Sequence, residues 1–314
     1  MDKGELSLRK DSVSPAGAAI RRYRAASKST ETKRAIEKGW REFTVWCQAS
    51  GARPFPCEPE TLEAYLIHLA ESGRKAATIE QARYAINARH KLAGLAAPGD
   101  SHLVKTVLAG IRRTLGTRQR RSAALTLDHI RLIRFRDDLK GLRDRALLMV
   151  AVCGGFRRSE LAGARIEDLE ETAHGVRIFL ARSKSDQEGA GVYVDIVRST
   201  VSPRHCPVEA LRAWLAAAGR REGPLFPSIR RWNKLTAHPM PPENIGHLVK
   251  WAAEQCGLDP RQFSGHSPRA GCATFLLERG VAMNVVANHL RHKSINTTRR
   301  YDRNATARAL TGVY

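Results

Sequence analysis

The chain is short of acid. Its 314 residues hold 31 Asp and Glu against 53 Lys and Arg, a formal charge of +22 before any histidine is counted. An excess of this size suits a polyanion partner, because each Lys or Arg set on a phosphate releases a condensed counterion. A basic surface kept only for solubility is the plainer alternative. Long apolar runs are missing too. No stretch approaches the ~18 uncharged apolar residues of a membrane span, and Met1 to Lys10 carries charge where a signal peptide has an apolar core. The expected location is cytoplasmic, with no membrane partner. The six cysteines (Cys47, Cys57, Cys153, Cys206, Cys256, Cys272) form no C-x-x-C pair and no Cys/His cluster at zinc spacing, so neither a disulfide framework nor a structural zinc site is indicated. There is no Walker A pattern either. What is present is 42% hydrophobic residues, enough for real cores, in a length that suits two folded domains.

Residues 1–29, rich in Ser, Ala, Arg and Lys, show no sustained periodicity and read as a flexible basic arm. From Thr30 the pattern changes. Ile36, Trp40, Phe43 and Cys47 recur on one helical face before Gly51; Pro59 opens a helix carrying Leu62, Tyr65, Leu66 and Leu69. A third helix is expected over 78–93, with Ile79, Ala82 and Ile86 inward. A fourth follows Asp100 with Val104, Val107, Leu108 and Ile111. Residues 30–111 thus read as a four-helix unit. Residues 112–125 read as a basic linker, since Arg112, Arg113, Arg118, Arg120 and Arg121 come with no acid and no continuing apolar face. Lying along a phosphate backbone and serving as a solvated connector are both open to it. The second domain, 126–314, begins with a helix at Leu127, Ile130 and Ile133, then a nearly all-apolar run from Ala146 to Val152 that has to be buried. The one clear β signal is a hairpin of 175–181 and 192–197 with a long polar tip; the rest reads as helix.

Several cations in this half sit where a mere surface would not require them. Arg157 follows the most apolar helix, so a planar fork anchored there can grip phosphate oxygens; helix capping is the competing role. In Ser264-Gly-His-Ser-Pro-Arg269, Ser267 is a good N-cap and Pro268 a good first helical residue, which sets His266 and Arg269 about a helix N-terminus. His292 and Tyr301 stand nine residues apart; Arg299 and Arg300 before the tyrosine and Asp302-Arg303 after it make a polar and cationic setting that favours phenolate, where a lone tyrosine would more often be a packed core residue.

Gly-Phe-Arg157-x-Ser-Glu160, a hairpin with a lysine, His266-x-x-Arg269, His292 and Tyr301, in that order, resemble the signature of the tyrosine recombinases, the phage-integrase family. The match spans most of 124–303, and Ser264-Gly-His-Ser-x-Arg-x-Gly271 is similar to the Cre-like branch. Two positions depart from the family: Gly154 stands where threonine is usual, and Arg291 where the residue before the histidine is usually glycine. The resemblance implies a mainly α fold, with a helical core-binding domain ahead of an α+β catalytic domain with a small sheet. It implies a site-specific DNA recombinase that cuts and rejoins strands through a 3′-phosphotyrosyl link without ATP, metal or cofactor. Its partners would be duplex DNA with a defined site and three further copies in a synaptic tetramer. The free protein would be a monomer. Lys184, the one lysine between the two strands, would protonate the leaving 5′-oxygen. Arg157 and Arg269 would clamp the phosphate, His266 would bond the phosphate or manage the nucleophile's proton, His292 would donate to a non-bridging oxygen, and Glu160 would orient its neighbours. A silent DNA-binding protein of the same fold and a type IB topoisomerase-like relaxing enzyme are the alternatives. For base readout the third helix offers Arg83, Arg89 and Lys91, although a solvated face reads equally well.

Overall fold

The computed structural model describes residues 19, 22–23, 27–117, 121–181 and 190–302. Most of the expected basic arm, Arg118, Arg120, Lys184 and the tail after Asp302 lie outside the described residues. The fold is mainly helical with small antiparallel sheets, and the chain divides into two compact units, 1–120 and 121–314.

In the first unit α1 (Thr30–Ser50) starts where the Ser29 hydroxyl accepts the Thr32 N–H and stops at Gly51, whose φ of +67° suits glycine. Pro59 opens α2 (Pro59–Glu71), and α3 (Ala76–Leu92) follows a short turn. Ser101 caps α4 (His102–Leu115) by accepting from the Val104 N–H. Phe43, Leu62, Leu66, Ile79, Ile86, Val104 and Leu108 meet in one core, on the inward faces expected from their helical spacing. Buried His90 ties two segments together: one ring nitrogen bonds the Ile86 carbonyl at 2.8 Å and the other accepts the Cys57 N–H at 2.9 Å. The fourth helix runs past 111 to Leu115, carrying Arg112 and Arg113 in its last turn, because Arg112 pairs with Glu80 and helical backbone continues without an apolar face. The linker expected from 112 therefore starts later.

The second unit is built on α6 (Leu139–Cys153), which follows the short α5 (Leu127–Leu132). Every residue from Ala146 to Val152 is buried, and truncating one of its leucines to alanine is expected to cost about 2–5 kcal/mol. After α7 (Arg158–Gly163) come three antiparallel strands in the order β1 (Leu169–Thr172), β2 (Gly175–Leu180), β3 (Val192–Val197). Val176, Ile178 and Leu180 turn inward, as do Val194 and Ile196, in the two-residue period of a half-buried sheet. The hairpin was expected; β1 was not. A second pair was missed as well: between α8 (Pro207–Ala218) and α9 (Pro242–Gln255), a segment read as non-strand forms β4 (Pro227–Arg230) and β5 (Lys234–Pro239). The remaining helices are α10 (Ser267–Glu278), α11 (Met283–His289) and the short α12 (Ile295–Arg299).

Candidate active site

Four segments of the second unit converge. The first is the turn after α6. Phe156 is 1% exposed and folds back so far that a Cβ on Gly154 would collide with its ring, which accounts for glycine where the family uses threonine. Arg157 then enters α7 paired with its own turn. Its backbone N–H donates to Glu160 Oε2 at 2.9 Å and its Nη1 to Oε1 at 2.5 Å. Capping and side-chain anchoring are thus both realised at Arg157.

The second segment is the start of α10. Here the structure corrects the expected cap: His266 holds the N-cap position with no side-chain cap bond, while Ser267 is already helical. The Ser267 hydroxyl turns back instead to accept the Ser264 N–H at 3.0 Å, and its carbonyl accepts the Leu125 N–H at 3.0 Å. Leu125 runs so close to the helix that a Cβ on Gly271 would strike its carbonyl. That approach seats Arg269, 1% exposed, with Nη1 on the Gly155 carbonyl at 2.6 Å and Nη2 on the Leu290 carbonyl.

The third segment is the turn after α11. Arg291 adopts φ +57°, the left-handed region in which glycine is at ease, in keeping with the glycine usual there in the family. Its guanidinium crosses to the first segment, donating to the carbonyls of Gly154 (3.3 Å), Gly155 (3.1 Å) and His289 (2.8 Å) and to Glu160 Oε2 at 3.1 Å. The guanidiniums of Arg157 and Arg291 therefore share one carboxylate, whose charge Arg269 also feels, leaving an excess of two positive charges. The fourth segment, α12 and the turn after it, brings the Tyr301 ring parallel to that of His292, centroids 5.9 Å apart and planes within 7°. His292 Nδ1 meets the hydroxyl of fully buried Thr298 at 2.7 Å.

The electrostatics follow from this crowding. Burial, then the charges of Arg269, Arg157, Arg291 and His266, push His292 down to about 4. Burial lowers Arg269 to about 10, helped by Arg157 and Arg291, against the pull of Glu160 and Tyr301. Glu160 stays below its ordinary value: burial works to raise it, and Arg291 and the Arg157 donors outweigh that. His292 is thus neutral at pH 7. Of the two tautomers open to the ring, the one in which Thr298 donates to Nδ1 keeps the proton on Nε2, where it can be donated to an anion.

Arg157, Glu160, Arg269, His292 and Tyr301 are brought into one neighbourhood, and His266, exposed at its edge, adds its charge to the field at His292. Lys184 lies outside the described residues. Sequence reasoning missed Thr298, which no motif distinguishes, and the bridging part of Arg291, which stood out only as a departure. Of the candidate DNA cations, Arg83 pairs with Glu80 and Asp100, Arg89 with Glu37, Lys91 with Asp100 and Arg112 with Glu80. Arg121 donates to the Arg300 carbonyl at 2.9 Å, and Arg113 is exposed.

The sequence model of the phage integrase family matches residues 125–308. An integrase/recombinase XerD homolog of Selenomonas ruminantium is 35% identical over 281 residues, 88% of this chain and 82% of that protein. The recombinase Cre of Escherichia phage P1 is 26% identical over 285 residues, 84% of this chain and 81% of that one. Among solved structures, the Tn1549 transposon integrase in complex with circular intermediate DNA has a TM-score of 0.60 at 17% identity, covering 94% of this chain and 97% of that one. A lambda integrase dimer bound to a COC′ core site has a TM-score of 0.59 at 17% identity, covering 92% and 96%. At such identities the two structures speak for the fold.

Proposed function

The chain belongs to the phage integrase family and is a site-specific tyrosine recombinase acting on DNA, and from that premise we propose that strand cleavage runs through the cluster around His292, with Tyr301 as nucleophile. The observation that carries this reading is the Tyr301 ring stacked on His292 beside Arg157, Arg269 and Arg291. In the proposed step a bond forms between Tyr301 Oη and phosphorus while the bond from phosphorus to the 5′-oxygen breaks. The phenol proton passes to His266 or solvent, and Lys184 supplies a proton to the 5′-oxygen. Bond energy is kept in the 3′-phosphotyrosyl link, so attack by a second strand's 5′-hydroxyl reverses the step without ATP.

Phosphoryl transfer asks chiefly for positioning and for stabilisation of charge on the non-bridging oxygens. Arg157 and Arg269, anchored on carbonyls and on Glu160, supply that charge with little left to reorganise. His292 adds a neutral donor from Nε2. Glu160 acts through Arg157 and Arg291 rather than on the phosphate. The DNA carries a defined recombination site on which four copies assemble, the free chain being a monomer, and the work takes place at the nucleoid. The basic segment from Arg113 to Arg121 tracks phosphates.

The test is Tyr301→Phe. The variant is expected to bind DNA as wild type does and to form no covalent adduct on a nicked suicide substrate. An adduct trapped in that variant through Tyr193 or Tyr314 would refute the assignment.

A further inference from the structure

The turn that carries His292 is built on an arginine. Where the chain leaves α11, the Arg291 N–H donates to the Asn288 carbonyl at 2.9 Å and the His292 N–H to the Ala287 carbonyl at 2.9 Å. That pair of bonds closes a helix through a left-handed residue, a place glycine fills because it has no Cβ. Arg291 holds it at φ +57°. The side chain costs the fold as well. It is 7% exposed, burial lowers it below its ordinary value, and its Nε is buried with no acceptor among the described residues. Glycine, usual here in the family, would carry none of these penalties.

Both halves of the proposed phosphate clamp meet at this residue. Arg269 Nη2 donates to the carbonyl of Leu290, just before Arg291, and Arg157 Nη2 donates to the carbonyl of Arg291 itself at 3.5 Å. The left-handed backbone at Arg291 sets the angle between those two successive carbonyls. Its guanidinium then shares a further acceptor with each arginine. The Gly155 carbonyl takes Arg269 Nη1 at 2.6 Å and Arg291 Nη2 at 3.1 Å; Glu160 Oε2 takes the Arg157 N–H at 2.9 Å and Arg291 Nη2 at 3.1 Å. Arg291 Nη1 goes to the carbonyls of Gly154 and His289. Every hydrogen on its two Nη atoms is thus occupied, and only the buried Nε is left, so the side chain has nothing to offer a phosphate directly.

We propose that Arg291 is a positioning residue for cleavage: by backbone and side chain together it fixes the spacing of the Arg157 and Arg269 guanidiniums, so that the clamp is assembled in the free chain before DNA arrives. Glycine in its place would keep the turn and lose the tie. The inference rests on the reading of Arg157 and Arg269 as the clamp and is independent of which residue attacks. Charge held in place beforehand stabilises a transition state better than charge gathered during the reaction, and a displacement of about 1 Å costs on the order of a hundredfold in rate.

Arg291→Gly is the test, since glycine is at ease at this φ and the turn survives the change. Single-turnover adduct formation on a nicked suicide duplex is expected to fall about 30- to 100-fold. Affinity for that duplex and its slope against salt are expected to stay at the wild-type values, which also shows that the variant is folded. In the free protein, carrying Tyr301→Phe throughout, the Nε–H resonances of Arg157 and Arg269 are expected to be sharp with Arg291 in place and broadened in Arg291→Gly. Arg291→Lys keeps the charge and loses the planar fork, so its rate is expected within about threefold of Arg291→Gly. Guanidinium ion, compared with sodium chloride at equal ionic strength, is expected to restore part of the rate to Arg291→Gly and to leave wild type unchanged. Cleavage by Arg291→Gly within about threefold of wild type would overturn the proposal. So would full recovery in Arg291→Lys, which would make the role one of charge alone, or a salt slope reduced by about one, which would set Arg291 on a phosphate. The clamp is checked separately: Arg157→Ala and Arg269→Ala cleaving normally would refute that reading, whereas loss in both with no loss in Arg291→Gly refutes this inference alone.

Discussion

Acidifying the free protein from pH 7 to pH 4.5 tests the cationic cluster at its centre. His292, with an ordinary value near 6.5, is held down to about 4 by burial and by Arg269, Arg157, Arg291 and His266. Between those two values the unfolded chain carries a proton on this ring and the folded chain does not. Stability therefore falls as the pH drops from 6.5 toward 4. A proton that leaves near 4 rather than 6.5 corresponds to about 3 kcal/mol at ~1.4 kcal/mol per tenfold. Solvent reaching the half-buried ring cuts this to about 1–2 kcal/mol. DNA should reverse the effect. One phosphodiester charge at ~4 Å, with an effective dielectric constant near 20, is worth about 4 kcal/mol to an imidazolium, enough to return the ring to its ordinary range. The measurement is a titration of the His292 Cε1 resonance in Tyr301→Phe, free and on duplex DNA, the variant being used so that no strand is cut. The midpoint is expected below 5 in the free protein and at least one pH unit higher on DNA. A free midpoint at 6 or above would mean that the three arginines do not press on the ring. A midpoint unmoved by DNA would mean that the phosphate binds elsewhere.

Thr298→Val removes the hydroxyl bonded to His292 Nδ1; single-turnover cleavage is expected to fall about five- to tenfold with DNA affinity unchanged, and Thr298→Ser to restore it, the worth of one hydrogen bond of ~1 kcal/mol. An equal loss in both variants would show a packing effect instead. Changing Arg113, Arg118 and Arg120 together to Gln should flatten the salt dependence of DNA binding by roughly two to three, and an unchanged slope would leave the segment a tether. Lys184→Ala should lose ~10²–10⁴ in cleavage rate on ordinary DNA yet cut a 5′-phosphorothiolate nearly as fast as wild type, since a thiolate leaves without a proton. Equal defects on both substrates would remove Lys184 from the acid role.

The helices were legible because their apolar residues recur at helical spacing between strong punctuation: Gly51 with Pro59 around the first turn, Pro207 and Gly219 at the ends of α8. β2 and β3 were legible because one face of each is buried. β1 and the β4–β5 pair lacked that signal. β1 reads Leu-Glu-Glu-Thr with no fully buried residue, its Glu170 spent on Arg177 and Tyr193. β5 reads Lys-Leu-Thr-Ala-His-Pro and is mostly exposed. Such strands exist because a neighbouring strand completes their backbone bonds, and a linear pattern carries no record of that neighbour. The α4 boundary slipped for a related reason: Arg112 extends the helix through a carboxylate on another helix, Glu80.

The cleavage cluster divides along the same line. Its reacting side chains could be named from short motifs, because each motif is local; what lets them coexist is not. Arg157, Arg269 and Arg291 would repel one another in so small a volume. Their charge is spread instead over the carbonyls of Gly154, Gly155, His289 and Leu290 and over both oxygens of Glu160. Backbone carbonyls are acceptors whatever their side chains, so this part of the site leaves almost no trace in residue identity, apart from the glycines that let the turns come close. Burial first, and then the charge left on the neighbouring guanidiniums, lower Arg269 and His292. One carboxylate holds Arg157 and Arg291 in place, backbone carbonyls hold Arg269, and charge is still left for a phosphate to satisfy. A second acid in the cluster would make the free protein more stable and weaken its hold on the phosphate.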